Sequence, residues 1–133
     1  MKGKVIMNEI LNYVKELGHE VSDLDSDDSI YANVAIECAK AVAGKKYDRG
    51  ILVCGTGIGV SIAANKVKGA YAACIHDIYQ AQRAQLSNSD NIITMGSQVI
   101  GIELAKCMVK EYLDLSFDPN SRSKKQGCKN YRV

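Results

Sequence analysis

The segment Cys54-Gly-Thr-Gly-Ile-Gly59 combines a nucleophilic side chain with three alternating glycines. Glycine permits sharp backbone turns, so such a loop can bring several amide N–H groups to one point. A concave set of N–H groups at the start of a helix binds anions and favours the thiolate form of a neighbouring cysteine. A thiolate facing an anion site can attack a carbonyl or remove a proton next to one. The segment therefore indicates nucleophilic or acid–base chemistry centred on Cys54.

The same pattern also fits a tight turn between a strand and a helix, with Cys54 as a buried structural residue. Two common glycine-loop functions are excluded. No Gly-Lys-Ser/Thr follows, as a phosphate-binding P-loop requires, and the G-x-G-x-x-G spacing of dinucleotide-binding loops is absent. Both open interpretations place the loop between a strand and a helix.

The elements around the loop follow from the spacing of apolar residues. Helical spacing predicts helices over residues 6–17, 34–42, 60–67, 79–86 and 99–113. Alternation or continuous apolar runs predict strands at 20–24, 50–54 and 92–95, with a further apolar run at 70–75. Strands that alternate with helices indicate a parallel sheet covered on both faces, a three-layer Rossmann-like α/β sandwich. Ligands bind beyond the carboxyl ends of such strands, where Cys54, His76 and Gly96 fall.

Composition limits the classes of function. A chain of 133 residues with 47% hydrophobic and 24% charged residues predicts one globular domain over 1–133, ending in an irregular basic tail at 116–133. No apolar run is long enough to cross a membrane, and a net charge of +2 does not indicate nucleic-acid binding. Five cysteines without C-x-x-C spacing argue against a metal site or a disulfide scaffold. We therefore expect a cytoplasmic protein with no metal and no cofactor. Three of the cysteines fall on apolar faces, and we expect them to be core residues: Cys38, Cys74 and Cys107.

A longer stretch carries a family resemblance. The segment Gly50-Ile-Leu-Val-Cys-Gly-Thr-Gly-Ile-Gly-Val-Ser-Ile-Ala-Ala-Asn-Lys-Val67 resembles the active-site segment of the ribose-5-phosphate isomerase B and galactose-6-phosphate isomerase (LacA/LacB) family. The similarity continues through His76-Asp-Ile-Tyr79, Asn88 and Asn91-Ile-Ile-Thr-Met-Gly-Ser97. It covers most of the chain, and it implies an aldose–ketose isomerase of small sugar phosphates.

The resemblance also implies roles for individual residues. Cys54 matches the base that moves a proton between C1 and C2 of the sugar through an enediolate, and Thr56 matches a hydroxyl near the ring oxygen. The site of such a protein lies at the interface of a homodimer, or of a tetramer built from dimers. The implied substrate contacts are the loop amides of Gly55, Gly57, Ile58 and Gly59, the side chains of Tyr31 and Asn88, and Arg122 for the phosphate.

The sequence departs from the family pattern in two places. Family members open with a strand that carries an aspartate, whereas this sequence begins with the following helix. We therefore expect a sheet that lacks the first strand and has unpaired edges on the two strands that would flank it. In addition, Ser87 stands where ribose-5-phosphate isomerases have a histidine that opens the sugar ring. A serine does not titrate near neutral pH and cannot perform that step.

The lost histidine suggests a substrate that needs no ring opening. A tetrose with phosphate on O4 has no free hydroxyl that could close a five-membered ring. We therefore hypothesise erythrulose 4-phosphate, or another substrate presented in open-chain form, as the substrate. A catalytically silent sugar-phosphate-binding subunit is the main alternative, although it would have no need of Cys54. A thiol-dependent hydrolase is a third, weaker alternative, because no histidine–aspartate pair beside Cys54 can be inferred from the sequence.

Overall fold

The computed structural model describes residues 2–24 and 31–115, without the side chains of residues 2–4 and 31. Five helices and three strands follow one another in this part of the chain. Their order and bounds are α1 (Lys2–Glu16), α2 (Tyr31–Ala43), β1 (Gly50–Cys54), α3 (Ile58–Asn65), β2 (Ala72–Cys74), α4 (Ile78–Leu86), β3 (Ile92–Gly96) and α5 (Ile102–Asp114). The predicted helices and three of the predicted strand regions are confirmed, with shifts of a few residues at their ends.

The three strands form one parallel sheet in the order β1-β3-β2. The register aligns Cys54 with Gly96 and Ala72 with Ile92, so β3 lies at the centre of the sheet. Every residue of β3 is buried. Its sequence is therefore a nearly continuous apolar run, as expected for a parallel strand covered on both faces.

Two hydrophobic cores lie on opposite faces of the sheet because side chains alternate along a strand. Helices α1, α4 and α5 pack on one face, against Ile93 and Met95. Helices α2 and α3 pack on the other face, against Leu52 and Ile92. The predicted three-layer α/β sandwich is confirmed.

The predicted strand at residues 20–24 is wrong, because these residues form no strand. Val21 packs against one core and Leu24 against the other, so the alternation reflects packing on the two faces and not sheet pairing. A strand requires a hydrogen-bonded neighbour. Within the described part of the chain β1 pairs only with β3, and its other edge carries no strand.

At each of the two edge strands of the sheet, a side chain binds backbone groups. Asn65 of α3 covers the open edge of β2: its Oδ1 accepts from Ala72 N–H at 2.7 Å, and its Nδ2 donates to Ala72 O at 2.9 Å. Arg49, directly before β1, donates to the carbonyls of Tyr112 and Leu115 at the end of α5. These contacts join the edges of the sheet to the helices that cover them.

Cysteine burial differs from the prediction at one position. Cys38 is buried and Cys74 is half-buried, but Cys107 is exposed. The buried face of α5 is formed by Ala105, Met108, Val109 and Tyr112, and Cys107 lies outside this spacing. Among the described residues, no helix combines the length and apolar character needed to cross a membrane.

Candidate active site

Cys54 ends β1 at the carboxyl edge of the sheet and is half-buried. Its Sγ accepts a hydrogen bond from the backbone N–H of Gly57 at 3.1 Å. An N–H that donates to sulfur binds a thiolate more strongly than a thiol, because the acceptor then carries a full charge. The thiol of Cys54 and one amide of the loop thus meet in the structure.

The turn that brings this N–H to Cys54 depends on Gly57. This residue is the N-cap of α3 with φ 82°, in the left-handed region that favours glycine. A Cβ at this position would lie 2.8 to 3.0 Å from backbone atoms of Met95 in β3. The loop thus lies directly against the central strand, and only glycine fits both the conformation and the space.

Helix α3 begins at Ile58, two residues before the predicted start, so the loop comprises only residues 55–57. Gly59 therefore belongs to the first helical turn. The first N–H groups of an α-helix have no carbonyl four residues earlier to bind, and they carry a partial positive charge. One of them, Ile58 N–H, donates to Thr56 Oγ1 at 3.3 Å, and Thr56 itself is exposed.

A second turn, after β3, supports the cysteine loop from the side. Ser97 N–H donates to Cys54 O at 2.8 Å, and Gln98 N–H donates to Gly55 O at 3.0 Å. A Cβ on Gly96 would lie 2.7 Å from the backbone of Thr56, so the two turns are in contact. The N–H of Gly96 donates to Nε2 of His76 at 3.0 Å.

This contact defines the part played by His76. Its Nε2 accepts the Gly96 N–H, so the imidazole supports the end of β3. His76 lies at the carboxyl end of the sheet, as the sequence predicts, and it touches the turn beneath the cysteine loop. The sequence pointed to its position but not to this partner.

Thr94 is a residue that the sequence did not indicate. It is fully buried in β3, and its Oγ1 donates to Gly57 O at 2.6 Å. The available signal was a hydroxyl side chain within the otherwise apolar run Ile92-Ile-Thr-Met95. A buried hydroxyl requires a partner, but the sequence does not reveal which one.

The other predicted contacts do not meet Cys54 in the described chain. Asn88 is exposed in the turn after α4, at the end of the sheet where β3 begins. The five residues of β3 separate it from the Cys54 edge, about 13 to 17 Å at 3.3 Å per residue. Tyr31 is the first residue of α2, and its side chain is not described. Arg122 and the predicted tail at 116–133 lie outside the described residues.

A separate cleft of about 210 Å³ is lined by residues in and near β2 and α4 and includes Asn88. Burial raises the pKa of Asp90 in this cleft to about 7. The remaining lining residues are Ala73, Cys74, Ile75, Gln80, Arg83 and Ala84. The thiol of one lining residue, Cys74, donates to Thr56 O at 3.7 Å. The cleft is therefore lined both by Asn88 and by a residue that contacts the cysteine loop.

A parallel sheet covered by helices on both faces, with a cysteine at the head of an amide-rich turn, defines a Rossmann-like α/β domain with a candidate thiol site. The sequence profile of the family described as Ribose/Galactose Isomerase matches residues 2–129. The chain belongs to this family.

Individual relatives agree with this assignment. D-erythrulose-4-phosphate isomerase 2 of Mycolicibacterium smegmatis is 53% identical over 97 residues, which are 73% of this chain and 64% of the relative. Ribose-5-phosphate isomerase B of Escherichia coli is 40% identical over 119 residues, which are 87% of this chain and 80% of the relative. The structure of ribose-5-phosphate isomerase B from Clostridium thermocellum is similar with a TM-score of 0.89 and 35% identity, over 96% of this chain and 88% of that one.

Proposed function

We propose that this protein is an aldose–ketose isomerase of a short-chain sugar phosphate and that Cys54 is its catalytic base. The observation that carries the proposal is the 3.1 Å hydrogen bond from Gly57 N–H to Cys54 Sγ, at the start of α3. Membership of the isomerase family supports the same assignment.

In the proposed reaction the Cys54 thiolate removes a proton from C1 of the ketose. The C–H electron pair forms the C1–C2 double bond, and the carbonyl electrons move to O2 to give an enediolate. The thiol then returns the proton to C2, while the O1 hydroxyl proton passes to O2, which leaves an aldehyde at C1. Amides of Gly55, Gly57, Ile58 and Gly59 are the proposed donors to the developing negative charge. Thr56, exposed beside them, is the proposed hydroxyl contact.

For the substrate we propose erythrulose 4-phosphate, in equilibrium with erythrose 4-phosphate. Ser87 replaces the ring-opening histidine, and a tetrose 4-phosphate has no five-membered ring to open. Ser87 is 7% exposed, and its N–H donates to Arg83 O at the end of α4. The 53%-identical relative bears the name of an isomerase of this four-carbon sugar phosphate.

We also propose that two copies of the chain share each site. Asn88 and Cys54 lie at opposite ends of one sheet, so an Asn88 that contacts substrate must come from a second copy. The proposed contact surface includes Ile58 and Ile62, which lie one turn apart on α3 beside the loop and are each 57% exposed. Tyr31 and Arg122 complete the proposed set of substrate contacts.

The catalytic proposal is tested by turnover of erythrulose 4-phosphate and ribose 5-phosphate in wild type, Cys54→Ala and a matched control, Cys107→Ala. Cys107 is also a cysteine, but it is exposed on α5. We expect Cys54→Ala to lower kcat by about 100- to 10,000-fold, the usual contribution of a general base, and Cys107→Ala to leave kcat unchanged. Unchanged turnover in Cys54→Ala refutes the base. Faster turnover of ribose 5-phosphate refutes the choice of sugar, and no turnover by the wild type favours a silent binding subunit.

The shared site is tested by mixing two inactive variants, Cys54→Ala and Asn88→Ala. Random exchange of subunits places one intact site in each mixed dimer, so about a quarter of wild-type activity should return. Mixtures that stay inactive after exchange, verified by native mass spectrometry, would contradict a site built from two copies.

A further inference from the structure

Thr94 occupies a position where an apolar residue would be expected. It lies in the middle of the central strand β3, it is 0% exposed, and its strand neighbours are Leu52 of β1 and Cys74 of β2. Burial of a hydroxyl costs free energy unless the hydroxyl is hydrogen-bonded. The side chain meets this requirement with the 2.6 Å bond from its Oγ1 to Gly57 O. The hydroxyl of Thr94 therefore donates its hydrogen bond to the cysteine loop.

This bond sets the direction of the next amide. The peptide between Gly57 and Ile58 is planar, and no cis peptide is present in the described chain. In a trans peptide the C=O and the N–H point in opposite directions. Because Thr94 holds Gly57 O toward the sheet, Ile58 N–H must point away from the sheet, to the side where Thr56 Oγ1 lies at 3.3 Å.

The two loop amides are therefore controlled separately. Gly57 N–H belongs to the preceding peptide and donates to Cys54 Sγ. Ile58 N–H belongs to the peptide that Thr94 holds, and its bond to Thr56 is long for an N–H···O contact. A substrate oxygen that develops negative charge would compete well for this donor, since charge-assisted bonds are about twice as strong as neutral ones.

We propose that Thr94 is a positioning residue, whose buried hydroxyl orients the Gly57–Ile58 peptide so that Ile58 N–H donates to the enediolate oxygen. The inference rests on the proposed isomerase function and deepens it. In this proposal a buried side chain orients an amide of the anion site without contacting the substrate itself. The hydroxyl, and not the bulk of the side chain, carries this role.

The experiment compares Thr94→Val, which keeps the shape but removes the hydroxyl, with Thr94→Ser, which keeps the hydroxyl but removes the methyl group. Turnover of erythrulose 4-phosphate and ribose 5-phosphate is measured for each, with the thermal midpoint and the iodoacetamide labelling rate of Cys54 resolved by peptide mass spectrometry. We expect Thr94→Val to lower kcat by about 10- to 100-fold, part of the loss seen when one oxyanion donor is deleted, with KM changed less than about threefold. Thr94→Ser should retain kcat within about threefold, and Cys54 labelling should stay within about twofold in both variants because the Gly57 N–H is held by another peptide.

The outcomes separate this inference from the function on which it rests. Wild type that turns over a sugar phosphate while Thr94→Val keeps the same kcat refutes the positioning role alone. Equal loss of kcat in Thr94→Val and Thr94→Ser, in step with their loss of thermal stability, shows a packing role and also refutes it. A wild type with no isomerase activity on either sugar phosphate overturns the proposed function and this inference together.

Discussion

Replacing Gly57 with alanine should destabilise the fold for two reasons, a strained backbone conformation and a steric clash. The left-handed conformation, φ 82°, costs a residue with a Cβ about 1 kcal/mol or slightly more. The new Cβ would also lie 2.8, 2.9 and 3.0 Å from three backbone atoms of Met95. These atoms belong to the central strand, which is paired on both sides, so the strand cannot move away. Overpacking of this kind costs about 1–3 kcal/mol. The expected loss in the free energy of unfolding is therefore about 2–4 kcal/mol.

Two other glycines isolate the two terms. Gly18 has φ 97° and no atom within 4 Å of a Cβ, so Gly18→Ala should cost only the conformational term of about 1 kcal/mol. Gly96 has no positive φ, but its Cβ would lie 2.7 Å from the Thr56 backbone, so Gly96→Ala should cost only the overpacking term of about 1–3 kcal/mol. Gly57→Ala should approach the sum of the two.

The assay is urea unfolding followed by circular dichroism. The free energy of unfolding must depend on urea concentration with the same slope in all variants, so that their midpoints can be compared. A typical domain has 5–15 kcal/mol of stability, roughly, so a loss of 2–4 kcal/mol leaves a measurable folded state. The reasoning is refuted if Gly57→Ala is no less stable than Gly18→Ala, because the contact with the central strand would then have no cost.

Three further predictions concern other parts of the chain. Burial, and then the charge of Glu37, raise the pKa of Cys38 to about 11, so iodoacetamide at pH 8 should label Cys107 and spare Cys38; equal labelling by peptide mass spectrometry contradicts this. Burial raises the pKa of Asp90 from 3.8 to about 7, so the folded state holds a proton that the unfolded state has released, and stability should fall as the pH rises from about 4 through 7. Asp90→Asn should remove this pH dependence and raise the free energy of unfolding by at most about 4 kcal/mol at pH 8. Urea midpoints that keep the pH dependence of the wild type would contradict this prediction. Arg49→Met removes both hydrogen bonds to the end of α5 and should cost about 2 kcal/mol in urea unfolding; a loss below about 0.5 kcal/mol would show that these bonds contribute little.

Much of the fold could be predicted from local pattern. The continuous apolar runs of β1 and β3 and the helical spacing of α1 and α5 are properties of neighbouring residues, because each element must bury one face. The strand predicted at residues 20–24 failed for the complementary reason. Alternation records which side chains are buried, but a strand also needs a hydrogen-bonded neighbour, and within the described residues none pairs with 20–24.

The candidate site divides in the same way. The loop from Cys54 to Gly59, its position at the end of a strand and its place beside a helix start all follow from a short contiguous segment. Its family resemblance is also contained in the sequence. The start of α3 at Ile58 was predicted two residues late, since the left-handed N-cap at Gly57 depends on close packing against β3.

For this protein the sequence by itself determined the composition of the loop and its place after a strand, because a thiol and several glycines within six residues are a local arrangement. Only the tertiary structure decided what holds the loop in place. Thr94 binds Gly57 of the loop across 37 residues of sequence, and His76 binds Gly96 at the end of β3, next to the loop, across 20 residues. Both contacts form because the parallel order β1-β3-β2 brings the carboxyl ends of the strands together. The same order sends Asn88 to the opposite end of the sheet from Cys54. Strand order is a property of the packed whole, and for that reason no local pattern could reveal these partners.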